Sequence, residues 1–306
     1  MPKRPFRFGT GSYQATSRDD YLALSRKIED LGYSILLTAD HFEEHLAPLT
    51  ALMAAAEASS TLRIGSYVFD NDFRHPAVLA KEAATLHVLS GGRFELGIGA
   101  GYRGPDYELS GIQFDPPGVR VSRLAESVQV IKGLFGDVPV TFAGSYYSVN
   151  NLVGYPRTDQ RPPLLIAGGG KRMLTLAARE ADIVGLVMQS RDGTLDLTSG
   201  STAATAERVE WVRQAAGDRF DHLELNTLVL GVVITDHRQQ AADEMARPLG
   251  LTGAELLDTV HFLVGTVDQI TEDIQMWRER FGISYIAVLP EYLEALAPSV
   301  ARLAGT

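Results

Sequence analysis

The chain has 306 residues, 45% apolar and 22% charged, enough to bury a large core as a globular protein. A net charge of −10 argues against nucleic acid or an anionic membrane surface as a partner. The absence of cysteine excludes disulfides, thiolate nucleophiles, Cys-ligated zinc and iron–sulfur clusters.

Met1-Pro2-Lys3-Arg4-Pro5 leads directly into the first strand candidate, Phe6–Gly11, with no signal-like apolar run between. No apolar stretch of about 18 residues follows anywhere, so a cytoplasmic protein is expected. Leu24, Ile28 and Leu31 share a helical face before the second strand, Ser34–Ala39. Pro48 opens a helix, Leu62–Phe69 is the third strand, and Pro76 opens the helix carrying Leu79, Ala83 and Leu86. Phe94–Gly99 is the fourth strand, followed by a helix with Leu124, Val128, Ile131 and Phe135 on one face. Val140–Phe142 and Tyr146–Val149, around Ala143-Gly144-Ser145, predict a short hairpin before the fifth strand, Leu164–Ala167. Ile183–Met188 and Glu224–Ile234 are the sixth and seventh strands. A longer excursion, from about Asp236 to Phe262, precedes the eighth, Ser284–Leu289. Thr266 and Gln269 form a capping-box signature ahead of Ile274 and Trp277. His261, Trp211 and Trp277 fall in helical patterns and are expected to pack.

Eight strands alternating with helices predict a parallel sheet with right-handed crossovers. The number favours closure into a (β/α)8 (TIM) barrel over an open doubly wound sheet. Neither excursion has linker composition, so residues 1–306 are read as one domain. In such a barrel the chemistry lies where the strands end.

Gly168-Gly169-Gly170-Lys171-Arg172 ends the fifth strand and opens a helix. Exposed N–H groups, a helix dipole and two cations there suit a phosphate. A tight turn needing positive φ would account for one glycine only. Gly97-Ile98-Gly99-Ala100-Gly101 resembles the start of a dinucleotide fingerprint, but Tyr102 and Arg103 follow and no helix opens. These glycines would let a flat ring lie against the backbone, or simply pack the barrel rim. Asp40-His41-Phe42 closes strand two. His41 can move a proton and a neighbouring carboxylate can set its tautomer. A metal at His41 and His45 is the rival reading, and no carboxylate pattern completes its ligand set. His75 is expected to cap a loop, where Asp70, Asp72 and Arg74 would meet a ligand or solvent. Serine-hydrolase, zincin, P-loop and EF-hand motifs are absent.

Tyr33–Phe42, Phe73-Arg74-His75-Pro76 with Ala80, Leu86–Arg93, Leu96–Tyr102, Ile166–Gly170, Ala177–Asp182, Leu263–Thr266 and Gly282–Tyr285, taken in order, resemble the luciferase-like flavin and deazaflavin oxidoreductases. The resemblance covers nearly the whole chain and is strongest to the coenzyme F420 branch, with FMN-dependent monooxygenases as the alternative. It implies a (β/α)8 barrel, usually a homodimer, with the ring in the mouth. It also implies that Asp40 and His41 border the ring, and that a non-prolyl cis bulge falls at Tyr67–Val68 behind it. Gly99, Ala100 and Gly101 would pass close to the ring or ribityl chain. Gly168, Gly169, Gly170 and Lys171 would hold the phosphate, flanked by Val187 and Gln189. Against the negative net charge, Lys171, Arg172 and Arg191 would supply local compensation. Sugar-phosphate dehydrogenases of this family carry an acid after the strand-four glycines and a tryptophan four residues beyond the strand-two histidine. Tyr102 and His45 stand there in this chain, so sugar phosphate is not implied.

The expected chemistry is hydride transfer between the deazaflavin C5 and a small organic substrate. His41 is the first proton-handling candidate, with Tyr102 and Asp106 next. An FMN monooxygenase fed by a separate reductase, and a cofactor-binding protein without turnover, are the competing readings.

Overall fold

The computed structural model describes residues 3–12, 15–42, 46–191 and 193–306. Eight strands form the barrel: β1 (Arg7–Gly11), β2 (Ile35–Thr38), β3 (Arg63–Ser66), β4 (Phe94–Gly99), β5 (Leu164–Gly168), β6 (Ile183–Leu186), β7 (Glu224–Val229) and β8 (Ile283–Val288). Each pairs in parallel with its sequence neighbours, and β8 pairs back onto β1 with Phe8 beside Ile286. Between β3 and β4 the register sets Ile64 against Phe94, which completes the closed ring. These strands read as apolar runs because both faces are covered, by helices outside and by side chains within.

The outer layer begins with α1 (Arg18–Asp30), α2 (Pro48–Ala58), α3 (Pro76–Leu89), α4 (Gly104–Ser110), α5 (Pro117–Leu134), α6 (Lys171–Glu180) and α7 (Thr202–Ala216). It continues with α8 (Arg238–Ala246), α9 (Gly253–Leu257), α10 (Val267–Phe281) and α11 (Leu293–Leu303). Pro48 and Pro76 begin α2 and α3, and Thr266 and Gln269 form a complete capping box on α10. Ile28, Leu52, Leu79, Val128, Leu174, Val212 and Ile274 are fully buried between helices and sheet.

Inside the barrel, Ile35, Leu37, Leu165, Ile183, Tyr285 and Ala287 form the core. Below them the strand starts carry an ionic floor. Arg7 bonds Glu95 at 2.7 Å and Glu224 at 3.1 Å, Arg63 also reaches Glu95, and the Arg7 guanidinium lies over the Tyr285 ring. The opposite, C-terminal ends are left to build a site.

Two expected strands are interrupted. The third ends at Ser66, passes through a cis Tyr67–Val68 peptide where the family resemblance implied one, and resumes at Phe69–Asp70 beside Ile98 and Gly99. The seventh splits at Leu230. Gly231–Ile234 leaves the barrel to pair in parallel with Phe262–Gly265. The excursion before β8 consists of α8 and α9 packed on that outer pair. His261 precedes the outer strand rather than sitting in a helix, and its buried Nδ1 lies 2.9 Å from the Leu228 carbonyl. Val140–Ala143 and Ser148–Leu152 pair antiparallel ahead of β5. A second hairpin, Gln189–Arg191 with Thr194–Asp196, follows β6 and was not expected from the sequence. No described helix is long and apolar enough to cross a membrane.

Candidate functional site

The turn leaving β2 places His41 at the mouth, with its Nδ1 2.7 Å from Oδ2 of Asp106 in α4. Asp106 is 3% exposed, and its other oxygen accepts the Phe42 N–H at 3.1 Å. A carboxylate offers only acceptors, so the Nδ1 facing Asp106 carries a proton. Two residues expected to handle protons are thus joined across 65 positions, and the carboxylate fixing the histidine tautomer is Asp106 rather than Asp40. The Tyr102 ring stands edge-on to His41, with centroids 6.3 Å apart.

Asp40, expected to border the ring, turns its carboxylate to Arg74 and to the Asp70 N–H. It braces the segment after β3. Asp70 and Asp72 neither face solvent nor form an open ligand set. The Tyr107 hydroxyl lies 2.8 Å from Asp70 and 3.1 Å from Asp72, and Arg123 flanks Asp72 at 3.3 Å. Burial, then the like charges of Asp72 and Asp40, push the Asp70 carboxyl up to about 7, against the bonds from the Asp72 N–H and Tyr107. The same surroundings raise Asp72 and carry Tyr107 well above its usual range. His75 caps α3 by accepting the Ala77 N–H at Nδ1.

The Asp70 shift predicts a pH dependence of stability. The native carboxyl holds a proton that the unfolded chain has already released between about pH 4 and pH 7, so stability falls as pH rises through that window. Asp70→Asn should flatten the fall, gaining thermal stability relative to wild type at about pH 7.5 compared with about pH 5. Parallel melting curves for the two proteins at both pH values would contradict the assignment.

The strand-four glycines have a reason within the protein. A Cβ on Gly99 would sit 2.7 Å from Val68 Cγ2. One on Gly101, where φ is +73°, would sit 1.9 Å from the Tyr107 hydroxyl. Ala100 offers its carbonyl to Arg120. Tyr67 and Val68 pack on the barrel interior from above, and the Tyr67 hydroxyl donates to Asn226 Oδ1 at 2.7 Å.

Across the mouth, Gly168–Gly170 bridges β5 and α6. None of the three has positive φ, so the turn-geometry explanation does not hold. Gly169 is required by packing, since its Cβ would fall 2.4 Å from the Met188 carbonyl. Gly170 has nothing within 4 Å of a Cβ and leaves the start of α6 open. Val187 donates its N–H to Gly168 at 3.3 Å, and the Gln189 N–H goes to Ser199, so the structure gathers these expected positions at one turn. Lys171 lies over Trp211 beside them. Arg172 does not serve the turn, because it is tied to the Gly118 carbonyl and Ser122 hydroxyl of α5. The Arg191 side chain, like His45, lies outside what is described.

The cation behind the turn is one the sequence reading missed. Arg208 of α7, 2% exposed, donates Nε to the Gly169 carbonyl at 3.1 Å and Nη2 to the Ser199 carbonyl at 2.6 Å. Burial lowers its pKa. The available signal was an arginine on the buried face that carries Thr205, Val209 and Val212. Opposite, a Cβ on Gly193 at the tip of the second hairpin would lie 3.4 Å from the Gly104 nitrogen. The hairpin therefore reaches over the end of β5 to the Tyr102–Gly104 segment.

A barrel with a histidine–carboxylate pair on one side of its mouth and an open glycine turn on the other can be compared with known proteins. The luciferase-like monooxygenase family model matches residues 4–258. The chain belongs to that family. Among its luciferase-like relatives, an F420-dependent glucose-6-phosphate dehydrogenase of Amycolatopsis mediterranei (strain U-32) is 31% identical over 65% of this chain. The match takes in 62% of that relative, so the chain spans less than two thirds of its length. A 4-hydroxyprotoasukamycin monooxygenase of Streptomyces nodosus subsp. asukaensis is 27% identical over 85% of the chain and 77% of its own. The luciferase-like fold matches the structure of a coenzyme F420 dependent tetrahydromethanopterin reductase from Methanopyrus kandleri, with a TM-score of 0.78, 17% identity and 98% of both chains covered.

Proposed function

We propose that this luciferase-like protein is an F420-dependent oxidoreductase in which His41 takes or returns the proton that accompanies hydride transfer to or from a small organic substrate. The observation that carries the reading is the His41–Asp106 pair, a histidine oriented at the mouth by a buried carboxylate, the arrangement a general base uses. The names of the dehydrogenase relatives support the choice of cofactor.

The residues present fit a phosphorylated ring cofactor. Gly170 leaves the start of a ten-residue helix uncovered, Lys171 begins that helix, and Arg208 lies buried behind the turn. Gly168, Gly169, Gly170 and Lys171 would hold the phosphate, with Val187 and Gln189 beside them. Tyr67, Val68 and the Gly99–Gly101 backbone would border the ring. When bound, the deazaflavin accepts or donates a hydride at carbon 5. Asp106 holds the imidazole in one tautomer and stabilises its charge once Nε2 has taken a proton. Tyr102 stands edge-on to His41, and the hairpin beyond β6 reaches the Tyr102–Gly104 segment beside it.

An FMN-dependent monooxygenase is the second reading, favoured by the monooxygenase relative that aligns over more of the chain. Titration with F420 and FMN, followed by intrinsic fluorescence, separates the two. F420 should bind at least about tenfold more tightly, a difference of ~1.4 kcal/mol. Tighter FMN binding would reverse the assignment. Gly170→Ala should keep the thermal stability and weaken F420 by about tenfold, because its Cβ enters space reserved for phosphate. Unchanged affinity would place the phosphate elsewhere.

A further inference from the structure

Arg208 is a buried cation whose bonds go to main-chain carbonyls rather than to a carboxylate. Its Nε reaches Gly169 at 3.1 Å and its Nη2 reaches Ser199 at 2.6 Å. Burial lowers its pKa, against the nearby charges of Glu207 and Asp196. Taking a guanidinium out of water for two carbonyls is costly unless its charge has a further use. An anion bound at the same turn supplies a counter-charge.

The bond to Gly169 also fixes a direction. The Gly169–Gly170 peptide is trans, so its carbonyl and its N–H point opposite ways. With the carbonyl drawn toward α7, the Gly170 N–H is turned away from α7. Gly169 is buried and Gly170 exposed, and a Cβ on Gly170 would meet nothing within 4 Å, so that N–H looks onto open space. It precedes the first turn of α6, whose N–H groups have no acceptor within the helix. On the next turn of α7, Trp211 holds the Lys171 amino group 5.9 Å from the centre of its ring. One helix therefore sets both the peptide and the exposed cation of the turn.

The second carbonyl belongs to the base of the hairpin beyond β6. The Ser199 hydroxyl accepts the Gln189 N–H at 2.9 Å and donates to the Asp196 carbonyl at 2.6 Å, joining the two strands of that hairpin. Its tip lies beside Tyr102–Gly104, next to His41. One side chain is thus bonded to both the glycine turn and the hairpin. We propose that Arg208 is a positioning residue for a phosphorylated cofactor: it aims the Gly170 N–H at the phosphate, and an occupied turn, acting back through Arg208, holds the hairpin against Tyr102–Gly104. This rests on the phosphate placement proposed above. The anion fixes the Gly169–Gly170 peptide, the peptide carbonyl fixes the guanidinium, and the guanidinium fixes Ser199. By linkage, holding the hairpin must tighten the anion equally.

Amide hydrogen exchange with and without saturating F420 tests both halves in the wild-type protein. The N–H groups of Gly170–Met173 should slow by at least about tenfold, and those of Gln189–Arg191 and Thr194–Asp196 should slow with them. Arg208→Lys keeps the charge but loses the planar fork that spans two carbonyls. It should bind F420 about tenfold more weakly. At saturating F420 its turn should slow while its hairpin exchanges as in the free protein. Arg208→Gln, which removes the charge as well, should weaken binding by about a further tenfold. F420 that fails to bind, or binds without slowing the turn, overturns the cofactor or phosphate reading and this proposal with it. A slowed turn with an unchanged hairpin in wild type overturns this proposal alone, whether or not the variants fold. Wild-type affinity with full hairpin protection in Arg208→Lys would also overturn it, leaving Arg208 a structural tie.

Discussion

Replacing His41 with alanine should lower turnover by about a hundredfold or more while leaving F420 affinity near the wild-type value. The expectation follows from where the side chain is held. Its Nδ1 is bonded to a buried carboxylate, so its position is set by α4 and not by the glycine turn on the other side of the mouth. Loss of the imidazole would remove the proposed proton acceptor and leave the proposed phosphate turn untouched. Asp106→Asn should cost less than His41→Ala in turnover. An amide oxygen can still accept from Nδ1–H but no longer offsets the charge on a protonated ring. Turnover in His41→Ala within twofold of wild type would remove His41 from the chemistry, whatever cofactor binds.

The barrel was legible because parallel strands covered on both faces read as compact apolar runs, and helix starts are marked by Pro48, Pro76 and the Thr266–Gln269 box. Partner choice was not legible. Glu224–Ile234 is one β-branched run, yet its second half pairs outside the barrel, since sequence propensity describes a strand and not its neighbour. The site divides in the same way. Glycine runs and His41 were visible as residue types at strand ends. Which carboxylate met His41 was decided by α4 folding back across the mouth, and Asp40, adjacent in sequence, was drawn away to Arg74. Arg208 was invisible for a related reason. It faces the Gly169 carbonyl because α6 and α7 pack together, a contact with no local signature.

The largest stability effect is expected from Gly101→Ala, at about 2–5 kcal/mol in denaturant unfolding. Two costs add. An L-residue at φ +73° costs about 1–2 kcal/mol. The new methyl group would also lie 1.9 Å from the Tyr107 hydroxyl and 2.4 Å from an Asp70 oxygen. Both neighbours are buried, so Tyr107 must withdraw and leave the carboxylates of Asp70 and Asp72 without its hydroxyl, at about 1–3 kcal/mol for a buried group left unsatisfied. Tyr107→Phe removes the nearest clashing atom in advance, so Gly101→Ala should cost less in that background than in wild type. Strict additivity of the two substitutions would show that the methyl does not press on the hydroxyl. Because Tyr107 adjoins Asp106 on α4, its withdrawal should also move the carboxylate that positions His41. Gly101→Ala should therefore lose turnover under conditions where it is still folded, with KM for F420 less affected than kcat. A folded Gly101→Ala with wild-type kcat would separate the Tyr107 anchor from catalysis and leave it a purely structural tie.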